Sequence, residues 1–175
     1  MMSLPLIVSI ADDAIRAGLL IELARVLATE PHRSRTVVFA CFDGEEAEVL
    51  GKGPTAGSRA YLERLGVRSR SLVAVLDLEM CGWARGRPTL HPIAYADPRR
   101  AGGRVIAPAW LVSAALAGSR QAGSEFALGD PRFSWLYQPL VRTFRVRLYG
   151  DDLSFLQGGR AALMASDSSF SSFYP

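Results

Sequence analysis

The chain has 175 residues, of which 49% are hydrophobic and 21% are charged, and its formal net charge is +3 at pH 7. This length and composition predict a single domain over 1–175 with a sizeable core, and they exclude a disordered or low-complexity protein. The basic residues are nearly all arginines scattered along the chain, so we expect no nucleic-acid partner, which would require a contiguous basic patch.

The N-terminal part of the chain predicts two strands with a helix between them. A short apolar run within 1–10 predicts the first strand, and it is too short to span a membrane. Apolar residues recur at helical spacing over about 13–28, and one of two adjacent aspartates stands where the helix N-cap is expected. A second apolar run at 36–42 predicts a buried strand, which ends just before two adjacent glutamates.

The rest of the chain continues this alternation. Further elements are predicted as a helix at 57–65, a buried strand at 71–78, a short strand at 89–93 in a long surface excursion, a helix at 107–121, a half-exposed strand at 143–148 and a core strand at 160–165. This order predicts an α/β fold: a three-layer sandwich whose central, largely parallel sheet is flanked by helices. Open sheets of this class bind ligands at the carboxyl ends of their strands.

Acidic residues follow four of the predicted segments. They are Asp12, Glu45 with Glu46, Asp77 with Glu79, and Asp151 with Asp152. Because the carboxyl ends of parallel strands meet at one edge, we expect these acids to converge there. Of two adjacent glutamates, one can ligate a metal ion while its neighbour handles the proton of the bound water. Alternatively, the two glutamates are simply an exposed acid pair. The alternative for Asp12 is that it only caps the helix.

Four motifs follow one another along the chain. They are Ala11-Asp12-Asp13-Ala14 before a helix, Phe42-Asp43-Gly44-Glu45-Glu46 with Gly57-Ser58-Arg59-Ala60-Tyr61, Asp77-Leu78-Glu79-Met80-Cys81-Gly82, and Gly150-Asp151-Asp152-Leu153-Ser154-Phe155 with Arg160-Ala161-Ala162-Leu163. In this order they resemble the zinc-dependent exopeptidases of the bacterial leucine-aminopeptidase type, a family that includes glutaminyl-peptide cyclotransferases and non-catalytic receptor ectodomains. The resemblance implies the phosphorylase/hydrolase-like architecture of zinc exopeptidases.

The resemblance also implies a role for each carboxylate. Asp12 would bridge two metal ions, and Glu45 would be the general base. Glu46 would ligate one zinc and Glu79 the other, although an aspartate is usual at the Glu79 position. Asp77 lies two residues earlier on the same strand face, so which of the two acids faces the metal stays open. The implied cofactor is one or two zinc ions, and the implied partner is a peptide that loses its N-terminal residue.

Two histidine ligands of the family pattern have no counterpart in this chain. The family places one histidine upstream of the bridging aspartate and another after a tyrosine near the C-terminus. The chain contains only His32 and His91, which fit neither position and are expected to be surface or packing residues. The resemblance therefore implies a fragment that is incomplete at both ends, binds zinc poorly and is inactive or weakly active by itself.

Two other functions stay open at this point. The long insertion between Glu46 and Gly57 also fits cyclisation of an N-terminal glutamine at a single zinc. The atypical Glu79 and the missing histidines would also suit a binding ectodomain that has kept the fold and lost catalysis. The sequence does not indicate substrate side-chain preference, oligomeric state or compartment.

Overall fold

The structure is a computed structural model, which describes residues 6–11, 14–30, 35–44, 55–79, 81, 88–95, 104–129 and 150–166. Several expectations fall outside these ranges. They are the strand at 143–148 and the residues Asp12, His32, Glu45 and Glu46.

The described residues form eight strands and four α-helices. The strands are β1 (Leu6–Ala11), β2 (Val37–Phe42), β3 (Ala74–Glu79), β4 (Thr89–His91), β5 (Ile93–Tyr95), β6 (Arg104–Ile106), β7 (Ala127–Leu128) and β8 (Ala162–Ser166). The helices are α1 (Ala14–Ala28), α2 (Ala56–Leu65), α3 (Ala109–Gln121) and α4 (Asp152–Gln157), with a 3₁₀ helix (Gly66–Ser71) after α2. No helix in these parts of the chain is both long enough and apolar enough to cross a membrane.

Six of the strands form one mixed sheet in the order β2-β1-β3-β8-β4-β7. The first four are parallel to one another, whereas β4 is antiparallel to β8 and β7 follows the direction of β4. The largely parallel sheet predicted from the sequence is therefore confirmed. Outside this sheet, β5 and β6 pair as an antiparallel hairpin.

The register of the parallel strands aligns their carboxyl ends. Residue pairs near these ends are Ala11 with Phe42, Ile10 with Leu78, and Glu79 with Ser166. The last residues of β2, β1, β3 and β8 consequently lie side by side. We call this side of the sheet the carboxyl edge.

Helices cover both faces of the sheet and bury a separate core on each. On one face, Leu20 of α1 and Leu111 of α3 join the core formed with β1, β3 and β8. On the other face, Phe155 of α4 is fully buried and packs with Val75 of β3, and Tyr61 of α2 lies at the margin of this core. The two cores give the predicted three-layer sandwich.

The prediction of a buried strand at 36–42 is wrong for most of β2. Phe42 is buried, but the preceding residues are half-buried and Cys41 is exposed. β2 is the outermost strand of the sheet that the described residues form, so packing covers it less completely than β1 or β3. An apolar run alone does not distinguish a central strand from an outer one.

Candidate active site

Two acidic side chains of β3 lie at the carboxyl edge. Asp77 is fully buried, and Glu79, the last residue of β3, is 7% exposed. Both side chains face the layer of α2 and α4. Their closeness to Gly150, which lies just before α4, indicates this: a Cβ placed on Gly150 would lie 2.5 Å from Asp77 Oδ2 and 3.1 Å from Glu79 Oε1. The shared face agrees with the two-residue period of a strand. Any side chain at position 150 would displace these carboxylates.

The Asp77 carboxylate connects β1, β3 and α4. The hydroxyl of Ser9 in β1 donates a hydrogen bond to Asp77 Oδ1 at 2.9 Å. The backbone N–H of Asp152 donates to Asp77 Oδ2, also at 2.9 Å, and the N–H of Gly150 donates to Asp152 Oδ1 at 3.1 Å. Hydrogen bonds to a buried carboxylate contribute about 1.5–3 kcal/mol each, so this network fixes the start of α4 against β3.

Four acidic residues of β3 and of the 150–152 segment are buried. Asp77, Glu79, Asp151 and Asp152 are 0%, 7%, 0% and 2% exposed, respectively. The bond from the N–H of Asp152 to Asp77 makes the two acidic segments neighbours in the fold.

The turn that leads from β2 to Glu45 is held by the first residues of α2. The N–H of Ala56 donates to the Gly44 carbonyl at 3.1 Å, and the N–H of Gly57 donates to the Asp43 carbonyl at 2.9 Å. A Cβ on Gly57 would lie 2.3 Å from the Asp43 oxygen, a distance that real Cβ atoms do not show. Glycine is therefore required at this position for α2 to approach the turn.

Three buried hydroxyl groups join the start of α2 to α4, and we call them the hydroxyl cluster: Thr55, Ser58 and Ser154. Thr55 Oγ1 and Ser154 Oγ are 2.7 Å apart and share a hydrogen bond. The Ser58 hydroxyl lies within donating distance of Ser154 Oγ, at 3.0 Å, and of the Thr55 carbonyl, at 3.1 Å. All three residues are at most 3% exposed, so their hydroxyls form hydrogen bonds with one another instead of with water.

An aromatic contact completes the attachment of β2. The ring of Phe42 lies 5.3 Å from that of Tyr61 and 5.9 Å from that of Phe155, centroid to centroid, and both pairs are tilted. Tilted aromatic pairs at this spacing stabilise beyond the area they bury. Each named residue of the Gly-Ser-x-x-Tyr motif thus has its own contact. Gly57 allows α2 to approach the turn after β2, and Ser58 belongs to the hydroxyl cluster. Tyr61 packs on Phe42, the last residue of β2.

Three of the four predicted site residues lie outside the described part of the chain. Asp12 follows Ala11, the last residue of β1, and Glu45 and Glu46 follow Gly44. Of the residues directly before them, Ala11 pairs with Phe42 at the carboxyl edge, and Gly44 accepts a hydrogen bond from the N–H of Ala56. Among the residues that the structure describes, no group of three or more histidine, cysteine, aspartate or glutamate side chains could hold a metal ion.

His91 is a buried residue of β4 and does not reach the carboxyl edge. It pairs with Met164 of β8, whereas Thr89, two residues earlier, pairs with Ser166 at that edge. His91 is 8% exposed, and this burial lowers the pKa of its imidazole to about 4. Its position agrees with the expected packing role.

Sequence reasoning missed the polar residues that support the acids. Ser9 lies in an otherwise apolar strand, which is the signal that could have identified it as the partner of an acid on the next strand. Ser154 lies in α4, and six residues are too few to show a helical period. The contact between Ser154 and Thr55 spans 99 positions and leaves no local sequence signal.

Comparison with known proteins identifies related sequences and folds. The model of peptidase family M28 matches residues 3–120. No curated protein matches the chain.

Two solved structures resemble the fold. LapA aminopeptidase of Legionella pneumophila superposes with a TM-score of 0.65 and 16% identity, covering 99% of this chain and 44% of LapA. A protein of Francisella philomiragia, designated a candidate 5′-methylthioadenosine/S-adenosylhomocysteine nucleosidase, gives a TM-score of 0.53 and 10% identity, with 92% and 83% covered. At these identities the likeness concerns the fold, and it confirms the expected α/β architecture. The chain spans less than half the length of LapA.

Replacing Gly57 with alanine tests the contact between α2 and the turn after β2. Since the added Cβ meets the Asp43 backbone, Gly57→Ala should lower the free energy of unfolding by about 1–3 kcal/mol. Gly118→Ala in α3 is the matched control, because nothing lies within 4 Å of that Cβ, and it should be neutral or stabilise by up to about 1 kcal/mol. Urea unfolding measures both changes. Equal effects of the two substitutions would refute the contact.

The buried imidazole of His91 should make stability depend on pH. Its folded pKa of about 4 lies below the ordinary 6.5, so between these values the unfolded chain binds more protons. The free energy of unfolding should therefore fall as the pH drops from 6.5 to 4, by at most about 3 kcal/mol from this residue. Urea unfolding of wild type and His91→Gln at pH 7.5 and 4.5 measures the effect. The variant should lose less stability on acidification, and identical losses would contradict the assignment.

Proposed function

The chain belongs to peptidase family M28, and from this we propose that it acts as a metal-dependent aminopeptidase that releases N-terminal residues from peptides. One observation carries the proposal: parallel pairing aligns the carboxyl ends of β1, β2 and β3, and the buried carboxylate of Glu79 lies at that edge. The family relationship supplies the reaction class. The superposition with LapA aminopeptidase supports the same assignment through the fold.

Zinc is the cofactor that the family implies, and the acids at the carboxyl edge suit it. Asp12, Glu46 and Glu79 would hold one or two zinc ions. Carboxylate oxygen is an accepted zinc donor, and the buried position of Glu79 limits competition from water. A set made only of oxygen donors is weaker than one with nitrogen or sulphur donors, so modest zinc affinity is expected of this chain.

Glu79 is a better candidate ligand than Asp77. Both oxygens of Asp77 already accept hydrogen bonds, from Ser9 and from the N–H of Asp152. Asp77 also lies two residues further from the carboxyl edge. Its described contacts support a structural role, in which it fixes the strand that presents Glu79.

In the proposed chemistry the two adjacent glutamates have different roles. Bound zinc would polarise the scissile carbonyl and lower the pKa of a coordinated water. Glu45 would take a proton from the attacking water and pass it to the nitrogen of the leaving amine. Glu46 would be a ligand, so the main chain between them must be held firmly for each carboxylate to keep its own role. The hydrogen bonds from Ala56 and Gly57 to the preceding turn support that arrangement.

Substituting Glu45 tests the proposal most simply. Glu45→Gln should abolish the weak turnover of a leucyl peptide that is expected of this chain, because general-base catalysis contributes about 10²–10⁴-fold to the rate. Zinc affinity, measured by competition with a chromophoric chelator, should change little. Glu63→Gln makes the same chemical change on an exposed residue of α2 and should alter neither quantity.

The same measurements separate the alternatives. Retained turnover in Glu45→Gln would remove Glu45 as the base. Release of ammonia from a glutaminyl peptide without cleavage of a leucyl peptide would indicate a cyclotransferase. Zinc binding without either reaction would indicate a binding domain, and a failure of Glu79→Ala to weaken zinc binding would remove Glu79 as a ligand.

A further inference from the structure

We propose that Ser154 is a positioning residue, which acts through Thr55 and Ser58 at the start of α2 to hold Asp43 and Gly44, the residues directly before Glu45 and Glu46. The consequence for metal binding rests on the proposed function. The mechanical role of Ser154 does not depend on it, since it follows from contacts among described residues.

The Ser154 hydroxyl is the centre of the hydroxyl cluster. It lies 2.7 Å from Thr55 Oγ1 and 3.0 Å from Ser58 Oγ, and Ser154 is only 3% exposed. Removal of this hydroxyl would take one hydrogen bond from Thr55 and one from Ser58. Because both residues are buried, water could not readily replace these bonds. Ser154 is thus the point at which α4 holds the beginning of α2.

Thr55 needs such a partner because of its backbone conformation. Its φ of 55° lies in the left-handed region, which a β-branched residue adopts only when surrounding contacts impose it. The hydrogen bond to Ser154 is such a contact, and Thr55 is 2% exposed. Loosening this bond would release the residue directly before α2.

The first residues of α2 connect Thr55 to Asp43 and Gly44. Ala56 and Gly57, which follow Thr55 directly, donate their N–H groups to the carbonyls of Gly44 and Asp43. Glu45 is the next residue in the chain. Thr55 and the first two residues of α2 therefore connect Ser154 to the backbone immediately before the two glutamates.

The first residue of α4 is fixed to the strand that carries Glu79. The N–H of Asp152 donates to Asp77 Oδ2, and Gly150 lies against both Asp77 and Glu79. Only one residue separates Asp152 from Ser154. The short helix α4 consequently links the Asp43–Gly44 backbone to the strand that carries Glu79, and a metal ion shared by Glu46 and Glu79 would depend on this link.

Amide hydrogen exchange on the metal-free chain tests the mechanical role. In Ser154→Ala, the amides of Ala56 and Gly57 should exchange about tenfold faster than in wild type, because one buried hydrogen bond has been lost. Ser119→Ala is the matched control, since Ser119 is also buried and its hydroxyl donates to the carbonyl of Leu116 within its own helix, α3. It should leave exchange at 56 and 57 unchanged.

Thr55 provides an independent pair of variants. Thr55→Val removes the hydroxyl at constant shape and should reproduce the effect of Ser154→Ala, whereas Thr55→Ser keeps the hydroxyl and should exchange like wild type. The double variant of Thr55→Val and Ser154→Ala should be no worse than Ser154→Ala alone, because Ser154→Ala already removes the bond between the two residues. If Ser154→Ala does not fold, the Thr55 pair decides the question.

Zinc titration of the same variants tests the consequence for the site. Ser154→Ala should bind zinc about tenfold more weakly than Ser119→Ala, as expected for a residue that orients metal ligands. Unchanged exchange at 56 and 57, or unchanged zinc affinity in a variant with faster exchange, would overturn the proposal. If exchange is faster in Ser154→Ala but the wild-type chain binds no zinc, the positioning role is supported and the proposed function is rejected.

Discussion

The parallel register of β2, β1, β3 and β8 is the constraint on which the rest of the structure depends. Because the strands begin and end together, residues that are far apart in sequence leave the sheet at one edge. Glu79 lies at that edge, and Asp12 and Glu45 follow directly from strands or turns that end there. A shift of one residue in any strand would turn its side chains to the opposite face, so hydrophobic burial in the two cores also fixes the placement of the acids.

The support of this edge comes from the layer of α2 and α4. α2 approaches the turn after β2 through Gly57, and α4 contacts both α2, through Ser154, and β3, through Asp152 and Gly150. The contacts are polar and buried, so each is specific in direction and costly to break. A site that depends on the spacing of several carboxylates requires such support, because like charges would otherwise move apart.

The sequence predicted the part of the fold that has a local signal. The periods of α1 and α3 and the apolar run of β3 identified these elements, and their alternation predicted a parallel sheet. It did not predict the low burial of β2, because sheet order is set by contacts distant in the chain. α4 was missed because it is short, and the bond between Ser9 and Asp77 was missed because its partners are 68 positions apart. The roles of Asp12, Glu45, Glu46 and Glu79 came from a family resemblance and stay predictions.

Anomalous scattering at the zinc edge, measured on crystals of the chain soaked in zinc, tests the central claim most directly. The account predicts a zinc peak at the carboxyl edge, with a Glu79 oxygen at about 2.0–2.2 Å and Asp12 and Glu46 as further ligands. A peak held by Asp77 or by residues away from that edge, or no peak at saturating zinc, would contradict it.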